Sequence, residues 1–158
     1  MKKVLFISST GGHLSELLQL QPLFASYDFS LITEKTPSTY PALEERFGKR
    51  VSYLFAGTRV KPVRYIFKMI ANTVRSLGHF CRIRPQYIVS TGSHTAGPMC
   101  LIGRILGAKI VFIETAASVH TSSKTGRYVY RFAHLFIVQH EEMLESFPRA
   151  VYKGALLP

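Results

Sequence analysis

The chain has 158 residues, 47% hydrophobic and 18% charged, which supports a packed core and excludes a disordered chain. Twenty Lys and Arg against 9 Asp and Glu give a net charge of +11, so an anionic partner is expected: nucleic acid, anionic lipid or a phosphorylated substrate. Cys81 and Cys100 form neither a CxxC pair nor a Cys/His cluster, so a reducing compartment is expected and a structural metal is not.

Residues 4–7 are a continuous apolar run, as in a strand covered on both faces. Ser9-Thr10-Gly11-Gly12-His13 follows it, and Leu14, Leu17, Leu18, Leu20 and Phe24 then predict a helix ending near Tyr27. Residues 29–33 predict a second strand, Ala42–Phe47 a short helix and Val51–Phe55 a third strand. Pro62 opens a long helix running to about Arg82, since proline is favourable in a first turn. Residues 87–89 predict a fourth strand, followed by Ser90-Thr91-Gly92-Ser93-His94. A helix over 96–106, a strand at Lys109–Ile113, a helix over 128–133 and a strand at Leu135–Val138 come next. A short helix at 141–146 and a last strand at 150–152 complete the pattern.

Strands alternating with helices predict an α/β fold: one Rossmann-like domain over residues 1–158 with a doubly wound parallel sheet. The usual strand order, 3-2-1-4-5-6, makes strands 1 and 4 neighbours at the switch point. The two glycine phrases follow those strands and should flank one crevice. The apolar run after Lys2 and Lys3 is too short for a signal peptide. No stretch reaches the roughly 18 apolar residues of a membrane span. A cytoplasmic protein, peripheral on the inner face of the membrane, is expected.

Thr10-Gly11-Gly12-His13 lacks the GxGxxG fingerprint and the Lys-Ser/Thr ending of a P-loop. Nicotinamide binding and ATP hydrolysis are disfavoured and no cofactor is expected. Small Gly-containing turns free backbone N–H groups for an anion, above all phosphate, so Thr10, Gly11, Gly12, Thr91, Gly92, Ser93 and His94 are candidate anion-binding residues; glycines that serve only packing are the alternative. His13 could donate to a phosphate oxygen or act as a general base, or simply be a turn histidine. Glu114 ends the fifth strand, where it could accept a substrate hydroxyl or cap the turn that Thr115 begins.

On the long helix Val63, Ile66, Phe67, Ile70, Val74, Leu77 and Cys81 fall on one stripe, expected to face the core. Arg64, Lys68, Arg75, His79 and Arg82 fall close to the opposite face, with Tyr65, Met69 and Phe80 to one side. This basic surface is expected to be solvated or to rest on anionic lipid. Arg64, Lys68, Arg75 and Arg82 are the candidate membrane contacts, and no recognised nucleic-acid motif accompanies them.

Ser8-Ser9-Thr10-Gly11-Gly12-His13, Ser90-Thr91-Gly92, Ile113-Glu114-Thr115, Thr125-Gly126-Arg127-Tyr128 and Ala133-His134-Leu135-Phe136-Ile137-Val138-Gln139 occur in this order. This ordered set resembles the membrane-associated acceptor subunit of the two-chain UDP-N-acetylglucosamine transferase of dolichol-linked oligosaccharide synthesis. The closer resemblance is to bacterial relatives in capsule and exopolysaccharide synthesis. More distantly, the chain is similar to the N-terminal half of the peptidoglycan transferase acting on undecaprenyl-diphosphate muropeptide.

The resemblance implies the N-terminal half of a GT-B glycosyltransferase, which binds a lipid-diphosphate acceptor while a partner chain holds most of the UDP-sugar site. It implies that Thr10, Gly11, Gly12 and His13 serve the diphosphate and catalysis. Thr91 and Gly92 match the second loop, and Glu114 matches the acid of a Glu-Ser motif. Here Thr115 replaces the serine, and Ser118 stands where relatives commonly carry an arginine. Relatives in eukaryotes carry an N-terminal membrane anchor, which is not expected here. The chain closing after one sheet leads to the expectation of little activity without a partner. Two other readings stay open: a non-catalytic membrane scaffold for the catalytic chain, and an independent nucleotide-binding enzyme of Rossmann type.

Overall fold

The computed structural model describes residues 1–56 and 62–156, with side chains in the second stretch described from Tyr65 onward. Among the described residues seven parallel strands form one sheet: β1 (Lys3–Ser8), β2 (Asp28–Lys35), β3 (Val51–Phe55), β4 (Tyr87–Gly92), β5 (Lys109–Ile113), β6 (Leu135–Val138) and β7 (Val151–Tyr152). Their order is β3-β2-β1-β4-β5-β6-β7. The expected reversal at β1 and β4 is present, and β7 extends the edge. The intervening helices are α1 (Gly12–Leu18), α2 (Ala42–Phe47), α3 (Pro62–Ile83), α4 (Ala96–Ile105), α5 (Lys124–Tyr130) and α6 (Met143–Ser146).

Successive strand side chains point to opposite faces, and two cores result. Leu5, Ile7, Ile32, Ile88 and Ile110 pack with Phe80 of α3, Met99 of α4, Val129 of α5 and Met143 of α6. Val4, Phe6 and Leu31 pack on the other face with Leu14 and Leu17 of α1, with Leu43 of α2 and with Phe24, which lies between α1 and β2. Beyond β1, among the described residues, this second face is covered less. Tyr87, Val89, Val111 and Ile137 are only partly buried, and with Val4, Phe6 and Leu23 they border a cavity of about 420 Å³.

The helix expected to run through Leu20 to Phe24 is two pieces, α1 and a 3-10 segment at Gln21–Ser26. Pro22 offers no N–H for an α-helical bond to Leu18, so the chain restarts with the proline in its first turn. α5 starts earlier than its apolar residues predict, because Ser123 caps it: Gly126 N–H donates to Ser123 Oγ at 2.8 Å.

α3 overturns the expected orientation. Its apolar stripe faces outward: Phe67 is 68% exposed and Val74 66%, with Ile66, Ile70, Leu77 and Cys81 exposed as well. The buried line is Asn72, Ser76 and Phe80, spaced at helical i, i+4 and i+8. The edge strand β3 decides this. The Asn72 amide brackets Phe55, with Oδ1 accepting from Phe55 N at 2.8 Å and Nδ2 donating to Phe55 O at 2.9 Å. This supplies partners that a neighbouring strand would otherwise give. The basic residues flank the same edge rather than opposing the core. Lys68 Nζ donates to Ala56 O at 2.8 Å, Arg82 Nη2 to Ser52 Oγ at 2.9 Å, and the Arg75 guanidinium lies 4.1 Å from the Phe55 ring centre. The side chains of Val63 and Arg64 lie outside the described residues. Both cysteines are free, and burial pushes the Cys100 thiol up to about 12.

Candidate functional site

The first glycine phrase leaves the carboxyl end of β1, but the second does not follow its strand as expected. Ser90, Thr91 and Gly92 are the last residues of β4, and there the β1–β4 register slips, with Ile7 paired to Ser90 but Ser8 to Gly92. The slip leaves Thr91 as an extra residue on β4, and His13 of α1 takes it up. Thr91 O lies 2.9 Å from His13 Nδ1, and Thr91 Oγ1 donates to His13 O at 2.6 Å. Ser9 N–H donates to Gly92 O at 3.0 Å. Gly92 has φ +100°, and a Cβ there would stand 3.3 Å from His13 Cε1 and Nδ1. Glycine therefore permits both the backbone turn and the close approach of the imidazole. Since a carbonyl oxygen can only accept, His13 Nδ1 carries the donated proton. In the neutral ring Nε2 then keeps its lone pair.

Glu34, at the end of β2, joins the same cluster. It is buried, and its Oε2 accepts from Thr10 Oγ1 at 3.2 Å and Thr10 N at 3.5 Å. Its Oε1 lies 3.8 Å from His94 Nε2 in the second phrase. Ser93 Oγ accepts from His94 N at 2.5 Å and lies 3.0 Å from His94 Nδ1. Gly11 starts α1 at φ +76° with no side-chain cap, so the first-turn N–H groups have no side chain of their own segment to satisfy them.

The loop after β5 is tied in by two more buried acids. Glu16 Oε1 of α1 accepts from Thr115 Oγ1 and from Ala116 N, each at 2.9 Å. Glu114 is 1% exposed; its Oε1 accepts from Ser118 Oγ at 2.9 Å and Ser123 N at 3.1 Å. A Cβ on Gly126 would lie 1.7 Å from Glu114 Oε2, so the start of α5 closes directly over the carboxylate. Of the two roles open to Glu114, its contacts are those of the turn cap. Gln139 Nε2 donates to Glu114 O at 3.0 Å, and His140 Nε2 donates to Ala116 O at 2.7 Å.

The structure thus gathers Thr10, Gly11, Gly12, His13, Thr91, Gly92, Ser93 and His94 at one place, with Glu114 and Thr115 beside them and Lys68, Arg75 and Arg82 on the β3 edge. Reading the sequence missed Glu34 and Glu16. Glu34 carries the same signal as Glu114, an acid ending an apolar strand. Glu16 is a lone acid among the leucines of α1. Size alone would mislead here, since a cavity of about 590 Å³ lies among Arg84, Tyr87, Gly107 and Lys109, at the amino ends of β4 and β5.

The family model for "Oligosaccharide biosynthesis protein Alg14 like" matches residues 58–156, more than half of the chain. The chain belongs to the Alg14-like family. The rat UDP-N-acetylglucosamine transferase subunit ALG14 is 26% identical over 178 residues, covering 98% of this chain and 82% of that protein. The Symbiobacterium thermophilum transferase that adds N-acetylglucosamine to N-acetylmuramyl-(pentapeptide) pyrophosphoryl-undecaprenol is 32% identical over 78 residues, 49% of this chain and 20% of that one. Among solved structures, Acinetobacter baumannii MurG superposes with a TM-score of 0.71 at 19% identity over 90% of this chain. This Alg14-like chain spans 43% of the length of that structure. The shared fold is the N-terminal half of a GT-B-like enzyme.

Proposed function

We propose that this chain is the acceptor-binding subunit of a two-chain glycosyltransferase of bacterial capsule or exopolysaccharide synthesis. A partner chain supplies the UDP-sugar half, and the acceptor is a saccharide on undecaprenyl diphosphate. The observation that carries this reading is the His13–Thr91 clasp at the β1–β4 switch point, where open α/β sheets bind their ligands. Family membership supports the transferase class, because the rat relative is named a UDP-N-acetylglucosamine transferase subunit.

The first-turn N–H groups of α1 at Gly11-Gly12, which no side-chain cap satisfies, hold the diphosphate beside the Thr91-Gly92 strand end, while Glu34 fixes Thr10. With Nδ1 donating to Thr91 O, His13 either donates from Nε2 to that diphosphate as the imidazolium or, as the neutral ring, takes the acceptor proton at Nε2. In the second case the acceptor oxygen attacks the anomeric carbon and UDP leaves with the electrons of the broken bond. Glu114 acts as a positioning residue that holds the loop after β5 in place. The open sheet face along Val89, Val111 and Ile137 supports a second chain as its cover. The outward stripe of α3 with Lys68 and Arg75 supports a site held at the cytoplasmic leaflet.

Replacing His13 by Ala tests the catalytic assignment. In the two-chain complex, turnover should fall by a factor of about 10²–10⁴ while complex formation, followed by co-purification, persists. Unchanged turnover would make this chain a scaffold instead.

A further inference from the structure

The outward stripe and the crevice are connected. A groove of about 480 Å³ starts at His94 in the second glycine phrase and runs between α3, α4 and α5, walled by Tyr65, Met69, Leu101, Ile102 and Tyr128. Its volume lies within the roughly 300–1,000 Å³ of small-molecule sites. The inner end is polar, with His94, whose Nε2 lies 3.8 Å from Glu34 Oε1, and the cationic side chain of Lys124. The start of α5 is brought there by close packing, since a Cβ on Gly97 would stand 3.8 Å from Thr125 Cγ2. Along the α3 wall, from Tyr65, whose ring centre lies 5.6 Å from that of His94, to Met69 and Thr73, the groove adjoins a shallow cavity of about 360 Å³ against Ile66, Ile70 and Val74. A polar end at the second glycine phrase, an apolar groove and an apolar outer surface therefore adjoin one another along α3.

We infer that this groove holds the first isoprene units of the acceptor's polyprenyl chain, with the diphosphate at the glycine phrases. The inference rests on the acceptor reading above. The charge order selects this occupant: a chain carrying an anion at one end satisfies Lys124 and the crevice together. A neutral apolar helix or a bulk acyl chain leaves the cationic end unused.

The test uses the full chain and farnesyl diphosphate bearing a photoreactive group on its terminal isoprene unit, with farnesol and inorganic pyrophosphate as comparisons. Cross-links should map to the Met69 and Leu101 peptides of α3 and α4. The Kd for farnesyl diphosphate should be at least about tenfold below that for farnesol. Thr73 is exposed at the rim, so Thr73→Trp should obstruct the groove without touching the core. It should raise the Kd for farnesyl diphosphate about tenfold and leave pyrophosphate binding unchanged. Leu101→Trp, on the facing wall, gives the same readout if the first variant misfolds. Cross-links confined to the open sheet face near Val89 and Val111, or wild-type binding by both variants, would overturn the groove assignment. Cross-links at α3 and α4 without transfer by the two-chain enzyme to any polyprenyl-diphosphate saccharide would support the groove and defeat the acceptor reading.

Discussion

At the scale of single residues, glycine is needed at two points because a side chain must pass close to the backbone. Gly92 admits the His13 ring, and Gly126 admits the Glu114 carboxylate. Gly126→Ala places a methyl on Glu114 Oε2 and forces apart the start of α5 and the loop after β5. Overpacking of this kind costs about 1–3 kcal/mol, so the variant should melt several degrees lower in a calorimetric scan; an unchanged melting temperature would contradict this packing. The glycine phrases and His13 were legible in the sequence because small residues after apolar runs mark strand-to-helix turns. The partners were not. That Thr91 O meets His13, or that Glu34 meets Thr10 and His94, depends on the β1–β4 slip and on strands far apart in sequence. Glu114 shows the complementary limit: its position at a strand end was readable, but its burial under Gly126 was not.

At the scale of elements, the strand order followed from alternation and turn chemistry, and α3 shows where periodicity stops deciding. The apolar stripe was evident, yet it faces outward because Asn72 and Ser76 face the β3 edge. A hydrophobic pattern tells which residues share a face; what that face meets depends on the rest of the fold. The exposed stripe gives a prediction with two parts. Replacing Ile66, Ile70 and Val74 together by Glu should abolish flotation with vesicles containing anionic phospholipid. Each exposed change should alter stability by no more than about 0.5 kcal/mol. Flotation that survives the triple change would remove the membrane role of α3.

The start of β5 carries a pH-sensitive contact. Ile110 N–H donates to His134 Nδ1 at 3.0 Å. Burial, then Arg104 and Lys109, hold the His134 pKa below the ordinary value; burial, then Arg82 and Arg75, do the same for His79. As pH falls, the unfolded chain binds these protons first. Their contribution is therefore present above the unfolded value of about 6.5 and is lost as pH falls below it towards the lower folded values. Thermal melts should show stability declining below pH 6.5, and His134→Gln should flatten part of that decline. A decline equally steep in the variant would assign it to other groups.

At the scale of the whole molecule, the described residues cover one sheet face along its length, and on the other face they leave Val89, Val111 and Ile137 only partly buried. The crevice lies at the carboxyl ends of the strands, where Glu34 of β2 meets the phrases after β1 and β4 and Glu16 of α1 holds the loop after β5. Glycosyl transfer requires water to be kept from the activated sugar, and under the proposed function a second chain supplies the covering half. The most direct measurement is transfer of labelled sugar from UDP-N-acetylglucosamine to an undecaprenyl-diphosphate saccharide in vesicles, with this chain alone, the partner chain alone and both together. The account predicts turnover only when both are present. Full turnover by this chain alone, or by the partner without it, would contradict the account.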